Sequence, residues 1–429
     1  MSEPAGSSLA VGDEVEVDVT AIAHGGHGIA RHLGQVLFVR HAIPGERVRA
    51  RVTESGAGSR FVRADAVEVV AASPDRVEPP CPYAGPGRCG GCDFQHVGVD
   101  RQRALKGEVV REQFARLAHL EVDVEVEALP GPPDGLGWRT RVEYAVADDA
   151  SVGLRAHRSH EVIPVDRCAI TVADPVHERV TGASWSGFEG VDVVVPSVGD
   201  PVIVPVPEPA GGVPVIHERV EALGRELEVS ARGFWQVHPA AADTFVDAVL
   251  TMLDPQPGER ALDLYAGVGL FAAAVASRVG PGGQVLAVES EREATAHARA
   301  NLAAYRNCVV IPGRVDDVFG VPRAAGRGPN RRRVSRPRKS SRSPQLPTSA
   351  DLVVLDPPRT GAGRGVCEAI ASLSPRAIAY VACDPAALAR DTAYLAGFGY
   401  QLAGLRAFDA FPMTHHVESI AHFVPVGAA

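Results

Sequence analysis

The sequence predicts an α/β protein: a doubly wound, mostly parallel sheet in its C-terminal half, behind a small β barrel and a mixed middle region. Three observations predict it. From Ala261 onward, short apolar runs alternate with helical patterns, the repeat that builds a parallel sheet. The first run ends in Tyr265-Ala266-Gly267-Val268-Gly269, a glycine turn placed where such sheets bind a ligand. Between Val11 and Val70, several short segments alternate apolar and polar residues, with Gly and Pro turns between them.

Composition bounds the answer. A chain of 429 residues holds two to four domains of about 100–200 residues each. Hydrophobic content of 45% and charged content of 22% are ordinary for a soluble globular protein. Met1 to Val11 has no basic segment followed by an apolar core, and no apolar run reaches the ~20 residues of a membrane span. A cytoplasmic protein without a membrane partner is expected. In that reducing compartment the seven cysteines point to metal binding or catalysis, not disulfides. The net charge of −9 argues against a general nucleic-acid binder, but Arg323 to Arg342 carries nine cations and no acid. Residues 323–349 are rich in Arg, Ser, Pro and Gly and cannot bury a core. They read as a disordered basic insertion, either a phosphate-holding arm or a solvated loop.

Taken in order, Val15 to Val19, Gln35 to Val39 and Val48 to Val52 read as strands of an OB-like barrel, with turns at Gly25-Gly26-His27-Gly28 and Pro44-Gly45. Cys81 and Cys89-Gly90-Gly91-Cys92 follow, with Cys168 farther on. Glycines inside a CxxC loop let it wrap closely and aim N–H groups at sulfur. Three local thiols plus a remote one suit an iron–sulfur cluster better than zinc, whose structural sites more often show two short knuckles. Asp100 to His119 has helical spacing. Val142 to Val146, Val152 to Leu154 and Val162 to Pro164 read as strands. Trp138-Arg139-Thr140-Arg141, Arg155, His157 and Arg158 suit either RNA or a wet sheet surface.

The third region opens with Gly233-Phe234-Trp235-Gln236-Val237-His238-Pro239 and a helix from Ala240 to Leu253. Strands follow at Ala261 to Leu264, Gln284 to Val288 with Glu289 at its end, Val309 to Pro312, and Leu352 to Leu355 before Asp356-Pro357-Pro358-Arg359. Glu289 stands where a nucleotide fold places an acid for ribose hydroxyls. The run Ala377 to Ala382 stops at Cys383, and Asp384-Pro385 starts a helix at once. A thiol at a helix N-terminus is expected to have a lowered pKa and to act as a nucleophile; a buried structural thiol is the alternative. Tyr400 to Ala407 and Val417 to Val424 are the last strands. If the final one is antiparallel, Glu418 starts it beside Cys383; otherwise Glu418 is a solvated edge carboxylate.

These motifs resemble the RNA (uracil-5-)-methyltransferase family over nearly the whole chain. Gly25, Gly28 to Arg31, Phe38-Val39 and Pro44-Gly45-Glu46 resemble the TRAM domain, an RNA-binding module. Cys89 to Cys92, Phe234 to Val237, Asp263 to Gly269, Asp356 to Arg359, Cys383-Asp384-Pro385, Leu388 to Asp391 and His416-Val417-Glu418 carry the rest. The resemblance implies a TRAM/OB-fold barrel over residues 9–72 and an iron–sulfur and central α+β domain over residues 73–230. It implies a seven-stranded, Rossmann-like class I methyltransferase domain over residues 231–429. It implies Cys383 as nucleophile and Glu418 as base. It places S-adenosylmethionine (SAM) at Gln236, Tyr265, Gly267, Gly269, Glu289 and Asp356, and a [4Fe–4S] cluster on Cys81, Cys89, Cys92 and Cys168. The implied substrate is a uridine in structured RNA, 23S ribosomal RNA ahead of transfer RNA, with no obligate protein partner. The chain departs from the family at the long Cys81–Cys89 gap, at Leu270 and at Arg314, with Asp316 left as a substitute adenine contact. A non-catalytic iron–sulfur RNA-binding protein and a methyltransferase acting on a non-RNA pyrimidine or a small molecule are the competing readings.

Overall fold

The computed structural model describes residues 9–56, 61–208, 211–322 and 342–427. β1 (Glu14–Ile22), β2 (Gly28–His32), β3 (Gln35–Arg40), β4 (Arg47–Glu54) and β5 (Phe61–Ala71) close into a barrel of order β1-β2-β3-β5-β4. The alternation in the sequence is the cause. In β4, Val48, Ala50 and Val52 are buried while Arg47, Arg49 and Arg51 face solvent. α1 (Val99–Gln113) runs on through one π-helical turn, Phe114–Ala118.

The middle region holds β6 (Val126–Ala128), β7 (Arg141–Val146), β8 (Val152–Arg155), β9 (Val162–Pro164), α2 (Pro175–Thr181), β10 (Gly190–Val194) and β11 (Val202–Val206). Five of these strands form an antiparallel sheet of order β11-β10-β7-β8-β9. β12 (Val215–Val220) and β13 (Arg225–Ser230) make a hairpin beside it. Trp138 is buried at 1% exposure, and Arg141 is paired with Glu218 at 3.3 Å. Trp138 belongs to the core, and Arg141 is largely covered, its guanidinium held by Glu218 and the Gly233 carbonyl. Arg155 and Arg158 are exposed, and Arg158 lies 3.4 Å from Glu54 of the barrel.

The C-terminal elements are α3 (Ala241–Leu253), β14 (Arg260–Leu264), α4 (Leu270–Val279), β15 (Gln284–Glu289), α5 (Arg292–Leu302), β16 (Cys308–Pro312), α6 (Val315–Phe319), β17 (Leu352–Leu355), α7 (Arg364–Ala371), β18 (Ala377–Ala382), α8 (Pro385–Gly397), β19 (Tyr400–Asp409) and β20 (Glu418–Pro425). The strand order is β16-β15-β14-β17-β18-β20-β19-β6. Seven strands match the expected sheet; the eighth, β6, comes from far upstream and pairs parallel with β19. Sequence reading left β6 out because three residues carry no period. Every residue of β17 and β18 is buried, because helices cover both sheet faces. Leu352, Val354, Ala377, Ala379 and Val381 join α3 and α4 in one apolar cluster. Val353, Leu355, Ile378 and Tyr380 join α1, α7 and α8 in the other.

The basic insertion falls mostly outside the described residues, over 323–341. Its tail corrects the expectation of disorder through residue 349. The Ser343 amide donates to the Val318 carbonyl at 2.8 Å, and Leu346 is buried against the second cluster. That burial and the backbone bond tie the tail to α6 and the second cluster. Among the described residues, no helix is long and apolar enough to cross a membrane.

Candidate active site

The sheet reverses its order between β14 and β17, and a crevice opens there beyond the carboxyl ends of the strands. After β14 the backbone turns sharply: Tyr265 has φ +65°, Gly267 +54° and Gly269 +92°. A Cβ on Gly269 would sit 3.1 Å from Leu302, so this glycine lets α5 pack close to the turn. Asp263, buried in β14, accepts from the Ala272 amide of α4 at 2.7 Å and fixes the helix start. Burial pushes its carboxyl up to about 7. Glu289 ends β15 and braces the same turn, accepting from the Gly267 amide at 2.9 Å and from the Ser290 and Glu291 amides, each at 2.6 Å.

Three strand ends supply the reactive side chains. β17 ends before Asp356, whose carboxyl burial raises to about 7. β18 ends before Cys383. β20 is antiparallel, and its register pairs Ser419 with Ala382, so Glu418 and Cys383 stand side by side. Burial, and then Asp356, hold the Glu418 carboxyl well above the usual carboxylate range. The thiol corrects the sequence expectation. Burial, then the charges of Glu418 and Asp356, push Cys383 up to about 11, with Arg359 pulling the other way. The helix N-terminus is present, but Asp384 caps it, accepting from the Ala387 amide at 2.8 Å. Its positive end is already answered before it reaches the thiol.

One cavity of about 780 Å³ is lined by Gln236, Tyr265, Gly267, Glu289, Asp356, Cys383 and Glu418 together. Gly269 is not on its wall; it shapes the turn from behind. Asp316 and Arg314 bind each other at 3.0 Å and do not line the cavity. Phe234, 76% exposed, stands at the cavity with Arg232, Glu291 and Phe411. Sequence reasoning did not single out Arg232, Glu291 or Phe411, which reach the site from three separate segments.

The barrel touches the reactive edge directly: His24 Nε2 lies 3.3 Å from Asp384 Oδ2. A second cavity, of about 100 Å³, is lined by all four of Cys81, Cys89, Cys92 and Cys168, with Arg139 and Arg167. The Gly91 amide donates to Cys89 Sγ and the Gln95 side chain to Cys92 Sγ, both at 3.4 Å. A Cβ on Gly90 would sit 2.6 Å from the His157 backbone, so the loop lies flat on the end of β8. Burial raises the Cys89, Cys92 and Cys168 thiols. Among the described residues, no three His, Cys, Asp or Glu side chains are drawn together as one metal ion would require.

Comparison with known proteins agrees with this layout. The TRAM domain profile matches residues 9–67, and the tRNA (Uracil-5-)-methyltransferase profile matches residues 215–423. An RNA methyltransferase of Streptomyces avermitilis is 47% identical, over 97% of this chain and 99% of its own. The 23S rRNA (uracil(1939)-C(5))-methyltransferase RlmD of Thiobacillus denitrificans is 32% identical, over 95% of this chain and 99% of its own. The crystal structure of Pyrococcus abyssi tRNA (uracil-54, C5)-methyltransferase in complex with S-adenosyl-L-homocysteine shares the fold. Its TM-score is 0.66 at 22% identity, covering 95% of this chain and 100% of that one.

Proposed function

The chain belongs to the RNA (uracil-5-)-methyltransferase family and is a SAM-dependent enzyme; from that premise we propose that it methylates C5 of a uridine in 23S ribosomal RNA through a covalent bond from Cys383 to C6. The observation that carries the reading is the pairing of β18 with β20, which sets Cys383 beside Glu418 on the wall of one cavity with Asp356. Membership of the family sets aside the non-catalytic and small-molecule readings.

Uracil C5 is too weak a nucleophile to take a methyl group directly. The Cys383 thiol loses its proton to solvent, and the thiolate adds to C6, which makes C5 the carbon end of an enolate. SAM supplies the methyl group as a sulfonium; C5 takes it, and the sulfonium becomes a neutral thioether. Glu418, whose raised pKa makes it a stronger base once it is ionised, removes the C5 proton as carboxylate. The electron pair re-forms the C5–C6 double bond and expels the thiolate. Net, one methyl group is transferred and one proton released. Arg359 is the one side-chain charge that pulls the Cys383 pKa down, and it only partly offsets the burial that keeps the thiol protonated. Gln236, Tyr265, Gly267, Glu289 and Asp356, which line the one cavity, would hold the methyl donor. A uridine in folded RNA must be splayed into the cavity, and the barrel, whose His24 reaches Asp384, grips the RNA beside it.

A [4Fe–4S] cluster fits the four-cysteine cavity better than a zinc ion. A tetrahedral ion draws four sulfurs to about 2.3 Å from one centre, whereas a cubane gives each thiolate its own iron. The four thiols line one cavity, and the N–H groups aimed at Cys89 and Cys92 are the donors such clusters take. Cys81, Cys89, Cys92 and Cys168 would hold it, and it would order the segment leading into α1.

The target choice rests on the 32% identical 23S rRNA enzyme, aligned end to end. Purified protein with tritiated-methyl SAM and full-length transcripts of 23S rRNA and transfer RNA tests it. Label released as 5-methyluridine from 23S rRNA is expected. Label in transfer RNA alone overturns the target, and label in neither, with SAM still bound, overturns the reading as a whole. The same reading places the enzyme in the cytoplasm with its RNA.

A further inference from the structure

The turn that delivers Glu418 is held by a distant part of the chain. Between β19 and β20, Met413 takes φ +66°, a left-handed conformation that a methionine disfavours and that persists only where its surroundings impose it. Its backbone is fixed on both sides. The Met413 amide donates to Gln102 Oε1 at 2.8 Å. The Met413 carbonyl accepts from the amides of Asp93 and Phe94, both at 2.9 Å. Gln102 is fully buried and donates its own amide nitrogen to the carbonyls of Phe94 and Val97, at 3.1 and 2.8 Å. One side chain on α1 therefore locks the segment after Cys92 to the turn before Glu418. His415 adds a second tie, with its backbone amide and Nδ1 at 3.2 and 2.6 Å from Asp93 Oδ2. None of these residues lines the catalytic cavity. What they set is the path of the chain into β20, whose first residue is Glu418.

We infer that Gln102 is a positioning residue for proton removal: by holding the Met413 turn it places Glu418 against the C5 proton of the methylated adduct. The inference rests on the covalent reading above. The topology selects the step that depends on it. Cys383 is set by β18 and α8 and Asp356 by β17, and Gln102 hydrogen-bonds to none of these; the turn it holds carries Phe411 at the cavity and leads into Glu418. Thiolate addition and methyl transfer survive its loss. Release does not, because the C6–S bond breaks only when the C5 proton passes to Glu418 and frees an electron pair.

Gln102→Leu tests this, with tritiated-methyl SAM and two RNAs resolved on a denaturing gel. With 5-fluorouracil RNA, whose C5 fluorine blocks release, the variant forms labelled adduct within about twofold of the unmodified protein's rate. With ordinary uridine RNA it accumulates a methylated covalent adduct, and turnover falls about tenfold or more, as loss of an aligned base requires. Glu418→Gln shows the same pattern more severely. Equal slowing of adduct formation and turnover, or no change in either, overturns the positioning role. Absence of adduct from the unmodified protein on 5-fluorouracil RNA is a different failure: it removes the covalent reading and this inference with it. Should Gln102→Leu lose SAM binding, His415→Ala, which removes the Nδ1 contact of the second tie and leaves its backbone amide on Asp93, is held to the same two rates.

Discussion

At the scale of single residues, the proposed chemistry turns on the thiol of Cys383. A thiolate is the attacking species, yet burial and two neighbouring carboxyls push this thiol up to about 11. Because its pKa lies above the working range, the reactive fraction falls as pH falls. In the ligand-free protein, iodoacetamide labelling of Cys383, followed by mass spectrometry, is expected to rise about tenfold per pH unit from 7 to 9. A rate that levels off below pH 8 would mean that the thiol is already ionised. The sequence made Cys383 visible, because a strand stop followed by Asp-Pro is a local signal. The direction of its pKa was not visible. Glu418 and Asp356 are distant in sequence, and only the sheet brings their charges to the sulfur.

At the scale of elements, the strands and helices that position the site were legible wherever they were long or periodic. β17, read as Leu352 to Leu355, has those bounds, and the antiparallel final strand places Glu418 where that reading required. β6 was missed because three residues pair with β19 only in the folded chain. Of the segment read as a possible RNA surface, Trp138 is core and Arg141 is tied to Glu218, since composition does not reveal which face a strand buries. The junction at Asp384 carries the element-scale prediction. Its side chain caps α8 and meets His24 of the barrel. Asp384→Ala is expected to cost about 1 kcal/mol of stability from the cap, measured by urea unfolding. It should leave SAM affinity unchanged, because Asp384 does not line the cavity. Unchanged stability would mean that the cap contributes nothing.

At the scale of the whole molecule, three regions meet at one edge of the sheet. The barrel reaches Asp384, the four-cysteine segment reaches the Met413 turn, and the C-terminal sheet carries the pocket. Family motifs revealed each region in the sequence, but not how they touch, since those contacts join residues about 300 positions apart. The cysteine site should therefore be separable from cofactor binding. Cys89→Ser is expected to lose iron, measured by ferrozine assay, and the visible absorbance of a cluster, while SAM affinity stays within about twofold, since no cysteine of that site lines the SAM cavity. Full iron content in the variant would remove Cys89 from the ligand set.

The most direct test of the account is covalent trapping. The protein is incubated with tritiated-methyl SAM and 5-fluorouracil-substituted 23S rRNA, then denatured and resolved on a gel. Fluorine at C5 cannot leave as a proton to Glu418, so a labelled protein–RNA band is expected, and it should disappear in Cys383→Ala. A band that persists in Cys383→Ala, or no band while ordinary 23S rRNA is still methylated, would contradict it.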